Sequence, residues 1–409
     1  MRFVWLEYLN AFRNVTRQYR RSLFGISAVT FGVVALTLAT GFIEWILWAA
    51  GEGTIQSGVG HVQVMRSGYL DGGQANPLKY LLPQEAPLKE DVGRFPMVRV
   101  VTPRLAFTGL MSHGDATISF IGEGVSPEGE SKLTPLLNIP AGQALSSDDP
   151  KGIVLGLGLA QNLGVKVGAT VVLLANTPRG GINAVECTVR GVFTTVNKAF
   201  DDAALRVPLP IAQQLLRVSG SHRWVLLLDD TKHTKATVVG LREKFRNSDV
   251  EFVPWYELSD FYNKVVTLLA AQIGVVNLII AVIIVLSISN TMMMNVVERT
   301  AEIGTCLAIG RSQRQILREF VYEGLTIGLI GGTLGLLVGW SLATLISWVG
   351  IPMPPPPGQS QGYTGEIMFT LQLALNTLLI AVGTTLVASL YPAWKASRMQ
   401  IVDALRHGR

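Results

Sequence analysis

The residue types that most often perform catalysis are present in this sequence, but not in patterns that build an active site. The sequence has no H-E-x-x-H or G-x-S-x-G motif and no Cys/His cluster. The histidines lack the spacing of metal ligands, and we predict that His222 and His233 lie on the surface. The paired acids Asp148-Asp149, Asp201-Asp202 and Asp229-Asp230 are typical of turns. We therefore expect no catalytic residues, no metal site and no cofactor in this chain.

A glycine-rich stretch from Gly156 to Gly168 superficially suggests a phosphate-binding loop. It reads G-L-G-L-A-Q-N-L-G-V-K-V-G and lacks the Gly-Lys-Ser/Thr ending of a Walker A motif. The sequence also does not predict the strand that should precede such a loop. We expect no nucleotide binding here.

The segment from Val297 to Gly310 suggests a binding function, the docking of a partner protein. It lies between two long apolar runs. Its charged residues come first and span about one and a half helical turns, and apolar residues follow. Its glycines would let another backbone approach closely and would end the helix. The residues are Glu298, Arg299, Glu302, Ile303, Gly304, Leu307, Ile309 and Gly310. Spacing alone is compatible with a docking helix for a cytoplasmic partner or with a solvated connecting loop.

The composition is that of an integral membrane protein. Of 409 residues, 49% are hydrophobic and 15% are charged, whereas about 25% charged is usual for soluble domains. The net charge of +5 is unevenly placed, because residues 51–262 hold 20 Lys/Arg against 21 Asp/Glu and the rest hold 14 against 8. The positive excess flanks the apolar runs, so it indicates membrane topology and not nucleic-acid binding.

Four long runs without charge predict four membrane helices: 22–43, 265–297, 324–349 and 367–394. Lys and Arg number five at the N-terminus, four from 298 to 318 and four in the tail, and none in 350–366. Both termini and the docking segment are therefore predicted in the cytoplasm. Cys187 and Cys306 then lie on opposite sides of the membrane and cannot pair.

These runs divide the chain into nine predicted segments. They are a cytoplasmic amphipathic elbow helix at 1–21, transmembrane helix 1 at 22–50, a periplasmic α+β domain at 51–262, transmembrane helix 2 with a stalk at 263–296, a cytoplasmic docking helix at 297–316, transmembrane helix 3 at 317–349, a periplasmic Pro-rich loop at 350–366, transmembrane helix 4 at 367–394 and a cytoplasmic tail at 395–409.

The periplasmic domain is predicted to mix strands and helices. Strand patterns occur at 61–64, 98–101, 116–121, 170–174, 185–192 and 225–228, helical patterns at 157–163, 211–218 and 235–245, and loops at 126–130 and 146–150.

Transmembrane helix 3 carries a stripe of glycines. Gly328, Gly331, Gly332, Gly335 and Gly339 form three overlapping G-x-x-x-G pairs. Such pairs allow helix backbones to touch in a membrane, where lipid is as apolar as leucine and close packing drives association. We predict that these glycines pack against neighbouring helices.

Three segments resemble one known family. The docking segment reads E-R-x-x-E-I-G-x-x-x-A-x-G, which includes Ala308, and Gln315-Ile316 and Glu323-Gly324 follow it. The N-terminal and C-terminal parts of the resemblance are Ala11-Phe12-Arg13-Asn14, Arg20-Arg21, Tyr391-Pro392-Ala393, Lys395-Ala396 and Ala404-Leu405-Arg406. Together they resemble the FtsX/MacB-type permeases of ABC transporters, and Gly156 to Gly168 resembles part of the periplasmic domain of MacB and of lipoprotein-releasing permeases.

The resemblance implies a membrane α-helical fold with four transmembrane helices and a large extracytoplasmic α+β domain, the MacB-like or type VII fold, in a bacterial inner membrane. It implies that 297–316 is the coupling helix of a permease that pairs with a second permease chain, as a homodimer or heterodimer. A separate cytoplasmic ABC ATPase subunit would bind the ATP and Mg. Membrane lipids and a periplasmic chaperone or adaptor are further implied partners.

The substrate stays open between three readings. Gly60-His61-Val62-Gln63-Val64 and the strand from Thr102 to Gly109 resemble the lipoprotein-releasing LolC/LolE type, which favours extraction or export of a lipoprotein or lipid-like substrate. The alternatives are MacB-like efflux by mechanotransmission through a periplasmic adaptor, and ATP-driven gating of a periplasmic enzyme by a signalling or scaffold protein.

Overall fold

The computed structural model describes residues 13, 17, 19–73, 77–83, 87–135, 137–195, 198–353 and 362–400. Most of the predicted elbow helix at 1–21, the four-proline run at 354–357 and the end of the tail at 401–409 lie outside the described residues.

The helices are α1 (Tyr19–Thr54), α2 (Tyr69–Gly72), α3 (Pro87–Gly93), α4 (Pro127–Leu133), α5 (Leu157–Leu163), α6 (Lys198–Asp201), α7 (Leu209–Leu216), α8 (Thr234–Lys244), α9 (Asp260–Glu298), α10 (Thr300–Ala308), α11 (Gln313–Val349) and α12 (Leu371–Ser397). The strands are β1 (Val62–Arg66), β2 (Val98–His113), β3 (Ala116–Val125), β4 (Asn138–Gly142), β5 (Gly152–Gly156), β6 (Thr170–Asn176), β7 (Ile182–Thr194), β8 (Ala204–Pro208), β9 (Arg223–Leu228), β10 (Val250–Pro254), β11 (Ile351–Met353) and β12 (Tyr363–Gly365). A π-helical turn (Ile55–Val59) and 3-10 turns (Pro77–Tyr80, Thr231–His233) complete the regular structure.

The chain forms two compact units. One contains 1–47, 265–352 and 364–409, and the other contains 48–264 and 353–363. The chain crosses between the units four times: inside α1 and α9, and inside β11 and β12.

The first unit is helical and apolar. Among the described residues, four helices are long and apolar enough to cross a membrane, namely α1, α9, α11 and α12. The four predicted transmembrane helices are thereby confirmed. Residues from several helices, including Val33 on α1, Ile288 on α9 and Phe320 on α11, form one buried cluster.

The second unit is built on a ten-stranded mixed sheet among the described residues. The strand order is β10-β1-β9-β2-β3-β8-β5-β7-β4, and β6 pairs with both β2 and β7. The neighbours β3 and β8 are parallel, as are β5 and β7, whereas β2 and β3 form an antiparallel hairpin with its turn at 114–115. The mixed α+β domain predicted after the first span is thereby confirmed.

Two of the strands that the sequence patterns missed are buried on both faces. The predicted strand segments lie within or overlap β1, β2, β3, β6, β7 and β9, and the predicted helices overlap α5, α7 and α8. The missed β5 and β8 are buried at every position, so they show no alternation. Burial on both faces removes the period-two signal on which strand prediction depends.

Three predictions in this unit were wrong. Residues 126–130, predicted as a loop, begin α4, because Pro127 stands in its first turn, where proline is favoured. The glycine-rich stretch does follow a strand, β5, although it still lacks the Walker A ending. His222 is buried, and its Nδ1 accepts a hydrogen bond from the backbone N–H of Ala106 at 3.2 Å. Burial and the neighbouring Arg223 lower the pKa of His222 to about 4, so it is neutral at ordinary pH.

Charged side chains form a cluster inside the sheet unit. Arg104 donates to Glu123 and to Glu130, each at 2.7 Å, and Arg206 lies 2.8 Å from Glu130. Arg223 donates to Glu123 at 2.7 Å. Burial favours a raised pKa for Glu123, but Arg104, Arg223 and Arg206 outweigh it and lower this pKa to about 2. Both carboxylates are therefore enclosed by guanidinium groups.

Candidate functional site

The docking segment forms a separate short helix, α10, between the ends of α9 and α11. Arg299 has non-helical dihedral angles (φ −93°, ψ 13°) and separates α9 from α10. The Thr300 hydroxyl donates to the carbonyl of Val297 at 2.6 Å and holds this break. Gly310, at φ +101°, reverses the chain after α10. The polypeptide therefore leaves one apolar helix, forms a short turn of helix and enters the next.

The start of α11 is fixed by its own side chains. Ser312 and Gln315 form a capping box, in which the backbone N–H of Ser312 donates to Oε1 of Gln315 at 2.9 Å. Such a box satisfies backbone donors that a helix start leaves unpaired. The start of α11 is thus fixed locally, directly after the segment that carries α10.

One side of α10 is buried against the long helices. Ile303 is 5% exposed and belongs to the cluster that contains Val296, Ile316 and Phe320. Gly304 is buried as well. This side anchors α10 by apolar packing, so it is not available to a partner protein.

Arg299 lies at the centre of an ionic cluster beneath α10. Its guanidinium lies 3.2 Å from Glu302, 3.4 Å from Glu319 and 3.5 Å from Glu323. Arg311 donates to Glu319 at 2.8 Å. The side chain of Arg299 is 12% exposed and that of Glu323 is fully buried. The cluster ties the break before α10 to two successive turns of α11.

The other side of α10 faces outward. The Glu302 side chain is 65% exposed and Ile309 is 82% exposed. Thr305 and Ala308 are exposed between them. This surface, which we call the α10 face, consists of Glu302, Thr305, Ala308 and Ile309. It combines one carboxylate with an exposed apolar tip.

The structure therefore separates the predicted coupling residues into two groups. Glu298, Glu302, Ala308 and Gly310 are exposed, whereas Arg299, Ile303 and Gly304 point into the protein. Sequence reasoning did not assign a role to Glu319, and it noted Glu323 only as part of a family pattern. Their spacing of four residues, which places them on one side of a helix, was the available signal.

The glycines of α11 lie in two rows. A Cβ at Gly331 would come within 2.7 Å of the Cβ of Val29, and one at Gly335 within 2.6 Å of the Cβ of Val33. Gly339 faces Thr37 in the same way. Those three glycines contact α1. The rows differ in their partner helix, since Gly324, Gly328 and Gly332 contact Ser389, Thr385 and Leu378 of α12.

A methyl group at Gly335 is expected to destabilise the protein, whereas one at Gly383 is expected to stabilise it. Gly335→Ala places a methyl against Val33 and the Thr30 carbonyl, and overpacking of this kind costs about 1–3 kcal/mol. Gly383 on α12 has open space at its Cβ, so alanine there gains up to about 1 kcal/mol of helix propensity. Thermal unfolding of the two purified variants measures this difference in sign. A stabilised Gly335→Ala would contradict the close contact.

The arrangement defines a class of protein: a membrane protein with four apolar helices, an inserted extracytoplasmic α/β domain and a short helix exposed between two spans. Comparison with known families identifies it further. The family described as MacB-like periplasmic core domain matches residues 22–244, and the family described as FtsX-like permease C-terminal matches residues 274–401. The chain belongs to this family of MacB-like and FtsX-like ABC transporter permeases.

Individual relatives are distant. The lipoprotein-releasing system transmembrane protein LolC of Xylella fastidiosa is 26% identical over 69% of this chain and 72% of its own length, and LolE of Haemophilus influenzae is 24% identical over 78% and 80%. The macrolide export ATP-binding/permease protein MacB of Syntrophobacter fumaroxidans is 28% identical over 52% of this chain. The chain spans 28% of the length of that MacB. The crystal structure of the periplasmic region of MacB from Actinobacillus actinomycetemcomitans aligns with a TM-score of 0.37 and 14% identity over 50% of this chain and 94% of that one.

Proposed function

We propose that this chain is the transmembrane subunit that couples ATP hydrolysis by a separate cytoplasmic ABC ATPase to motions of its periplasmic domain in a bacterial inner membrane. The observation that carries the proposal is the α10 face. It projects between two spans and is fastened by Arg299 to α11. A partner that moves α10 would therefore move α11, and ATP and Mg would be bound by that partner.

Close packing of α11 against its neighbours would carry the displacement from α10 to further helices. Its glycine rows contact α1 on one side and α12 on the other. Since packed elements with little space between them move together or switch between discrete arrangements, displacement of α11 would displace both neighbours. The proposal includes a second permease chain, of the same or another sequence, because the family resemblance implies a pair.

For the substrate, we favour extraction or export of a lipoprotein or lipid-like molecule. The relatives named as lipoprotein-releasing transmembrane proteins are matched over most of their length, and the MacB relative over about a quarter. The match of residues 22–244 to the MacB-like periplasmic core domain favours the second candidate, efflux with a periplasmic adaptor.

Charge reversal on the α10 face tests the ATPase partnership. We expect Glu302→Lys to weaken binding of the ATPase by about tenfold or more, because the new ammonium would repel both a complementary partner surface and the neighbouring Arg299. Membrane insertion should be normal, since the Glu302 side chain is exposed. The measurement is ATPase activity and copurification of the assembled complex.

The matched control is Lys395→Glu, which reverses an exposed charge at the end of α12. It is expected to keep the assembled complex intact. Wild-type ATPase activity and copurification in Glu302→Lys would show that the α10 face is not where the ATPase binds.

A further inference from the structure

A cavity lies within the helical unit, between α1, α9 and α12. Its volume is about 340 Å³, within the range of small-molecule sites. Leu36 and Leu373 supply apolar wall, and both side chains are about 1% exposed. Glu44, Asn277 and Asn376 supply polar atoms, one from each of the three helices. The cavity is therefore amphipathic: it joins a carboxylate and two amides to an aliphatic surface.

The three polar residues lie at one depth. Along their helices, Glu44 is separated from Arg21, Asn277 from Glu298 and Asn376 from Lys395 by roughly 28–35 Å, at ~1.5 Å per residue. This distance equals the thickness of the hydrocarbon layer, about 30 Å. The three helices therefore place polar groups at the same boundary of the hydrocarbon layer. This boundary is opposite the one at which Arg21, Glu298 and Lys395 lie. That is where lipid headgroups meet the acyl chains.

Within the part of the chain that the structure describes, the carboxylate of Glu44 has no cationic partner. The sequence contains no Lys or Arg in 22–65, 265–298 or 319–394, which include the parts of all three helices around the cavity. Among the described residues, no ion pair includes Glu44, and the Thr370 hydroxyl donates a 3.5 Å hydrogen bond to its carboxylate. That hydroxyl also accepts from the backbone N–H of Leu373. An ionisable residue at membrane depth is costly unless something pairs with it.

We propose that this cavity binds the ammonium group of an amphiphile, with the carboxylate of Glu44 as its counter-ion. An ammonium has three donors and no acceptor, so Glu44 and the side-chain oxygens of Asn277 and Asn376 match it. The aliphatic wall takes the first part of the attached chain. A headgroup that carries phosphate but no ammonium, as in phosphatidylglycerol, finds no donor cation here and is repelled by Glu44.

This inference names a substrate class for the proposed transporter, and it rests on that function only for the consequence that the bound amphiphile is cargo. Binding itself follows from the cavity and its charge. Two sources share the required chemistry. One is an amine-bearing lipid such as phosphatidylethanolamine, and the other is a cationic amphiphile without phosphate.

The test is lipid titration of the purified full chain in detergent, followed by native mass spectrometry. The probes are phosphatidylethanolamine, phosphatidylglycerol with the same acyl chains, and dodecylamine as a competitor. We expect phosphatidylethanolamine to bind about tenfold more tightly than phosphatidylglycerol, the effect of one charge-assisted hydrogen bond. Glu44→Gln should lose this preference, and Glu44→Asp should retain it.

The matched control is Glu366→Gln, which removes an exposed carboxylate beyond the membrane-spanning part of α12 and should keep the preference. Displacement by dodecylamine supports an ammonium site open to any cationic amphiphile, and loss of the preference in Glu44→Gln without that displacement supports an amine-bearing lipid. Absence of a preference in the wild type, or an unchanged preference in Glu44→Gln, would overturn the proposal. Glu302→Lys should bind lipid normally, so failure of ATPase coupling and failure of this site are distinguishable.

Discussion

Replacing Glu130 by glutamine is expected to destabilise the sheet unit by about 3–5 kcal/mol, the cost of breaking a buried ion pair from one side. Arg104 and Arg206 are 2% and 1% exposed, and both lie within 3 Å of Glu130, at 2.7 Å and 2.8 Å. Glutamine fills the same space but leaves the two guanidinium groups with Glu123 as their shared carboxylate. A domain has about 5–15 kcal/mol of stability in total, so this loss removes a large part of it.

Acid is expected to remove the contribution of Glu123 to this cluster as pH falls from about 4.5 towards 2. The pKa of Glu123 is about 2 in the folded protein, compared with 4.5 as the ordinary value. A depressed carboxyl pKa contributes stability that is present above the ordinary pKa and is lost as pH falls towards 2.

Hydrogen exchange of the full-length protein in lipid nanodiscs measures the effect of Glu130→Gln. The backbone amides of β2, β3 and β8, which carry Arg104, Glu123 and Arg206, should exchange faster by the factor that corresponds to the lost free energy. Glu128→Gln is the control, because Glu128 lies on the same helix, α4, two residues earlier, with an exposed side chain. If the two variants exchange alike, the buried cluster is not a stabilising element.

The four membrane spans could be predicted from the sequence, but the buried ionic cluster could not. The four spans were predictable because a run of apolar residues long enough to cross a bilayer is a local signal. Glu123 and Glu130 carry no such signal, since their partners Arg104, Arg206 and Arg223 come from three other strands. The pairing depends on the strand order, which hydrophobic patterns do not encode. His222 was misplaced for the same reason.

The docking segment shows a second limit. We could predict its position between two spans, its helical spacing and the residues at which it ends. The direction of each side chain was not predictable, because Arg299 interrupts the helix between α9 and α10. The break places Arg299 against Glu319 and Glu323, as a fastening for α10 and not as part of its exposed face.

The other large effect is expected at the opposite end of α9. This helix has 39 residues, and at ~1.5 Å each it is about 58 Å long, almost twice the thickness of the hydrocarbon layer. The boundary between the two compact units falls within it, between Lys264 and Val265. A continuous helix transmits displacement along its axis because its hydrogen bonds are unbroken. We therefore predict that α9 carries mechanical work between the units.

Insertion of Gly-Gly-Ser between Lys264 and Val265 is expected to abolish export while ATP hydrolysis continues. The inserted residues are poor helix formers and interrupt the hydrogen-bond ladder at the unit boundary, whereas α10, α11 and their contacts are unchanged. The measurement is ATP hydrolysis and substrate release by the assembled complex in proteoliposomes. The matched control inserts the same residues between Gly180 and Gly181, in an exposed turn of the sheet unit, and should retain both activities. Export at the wild-type rate in the α9 insertion would mean that the substrate crosses between the spans without work passing through this helix.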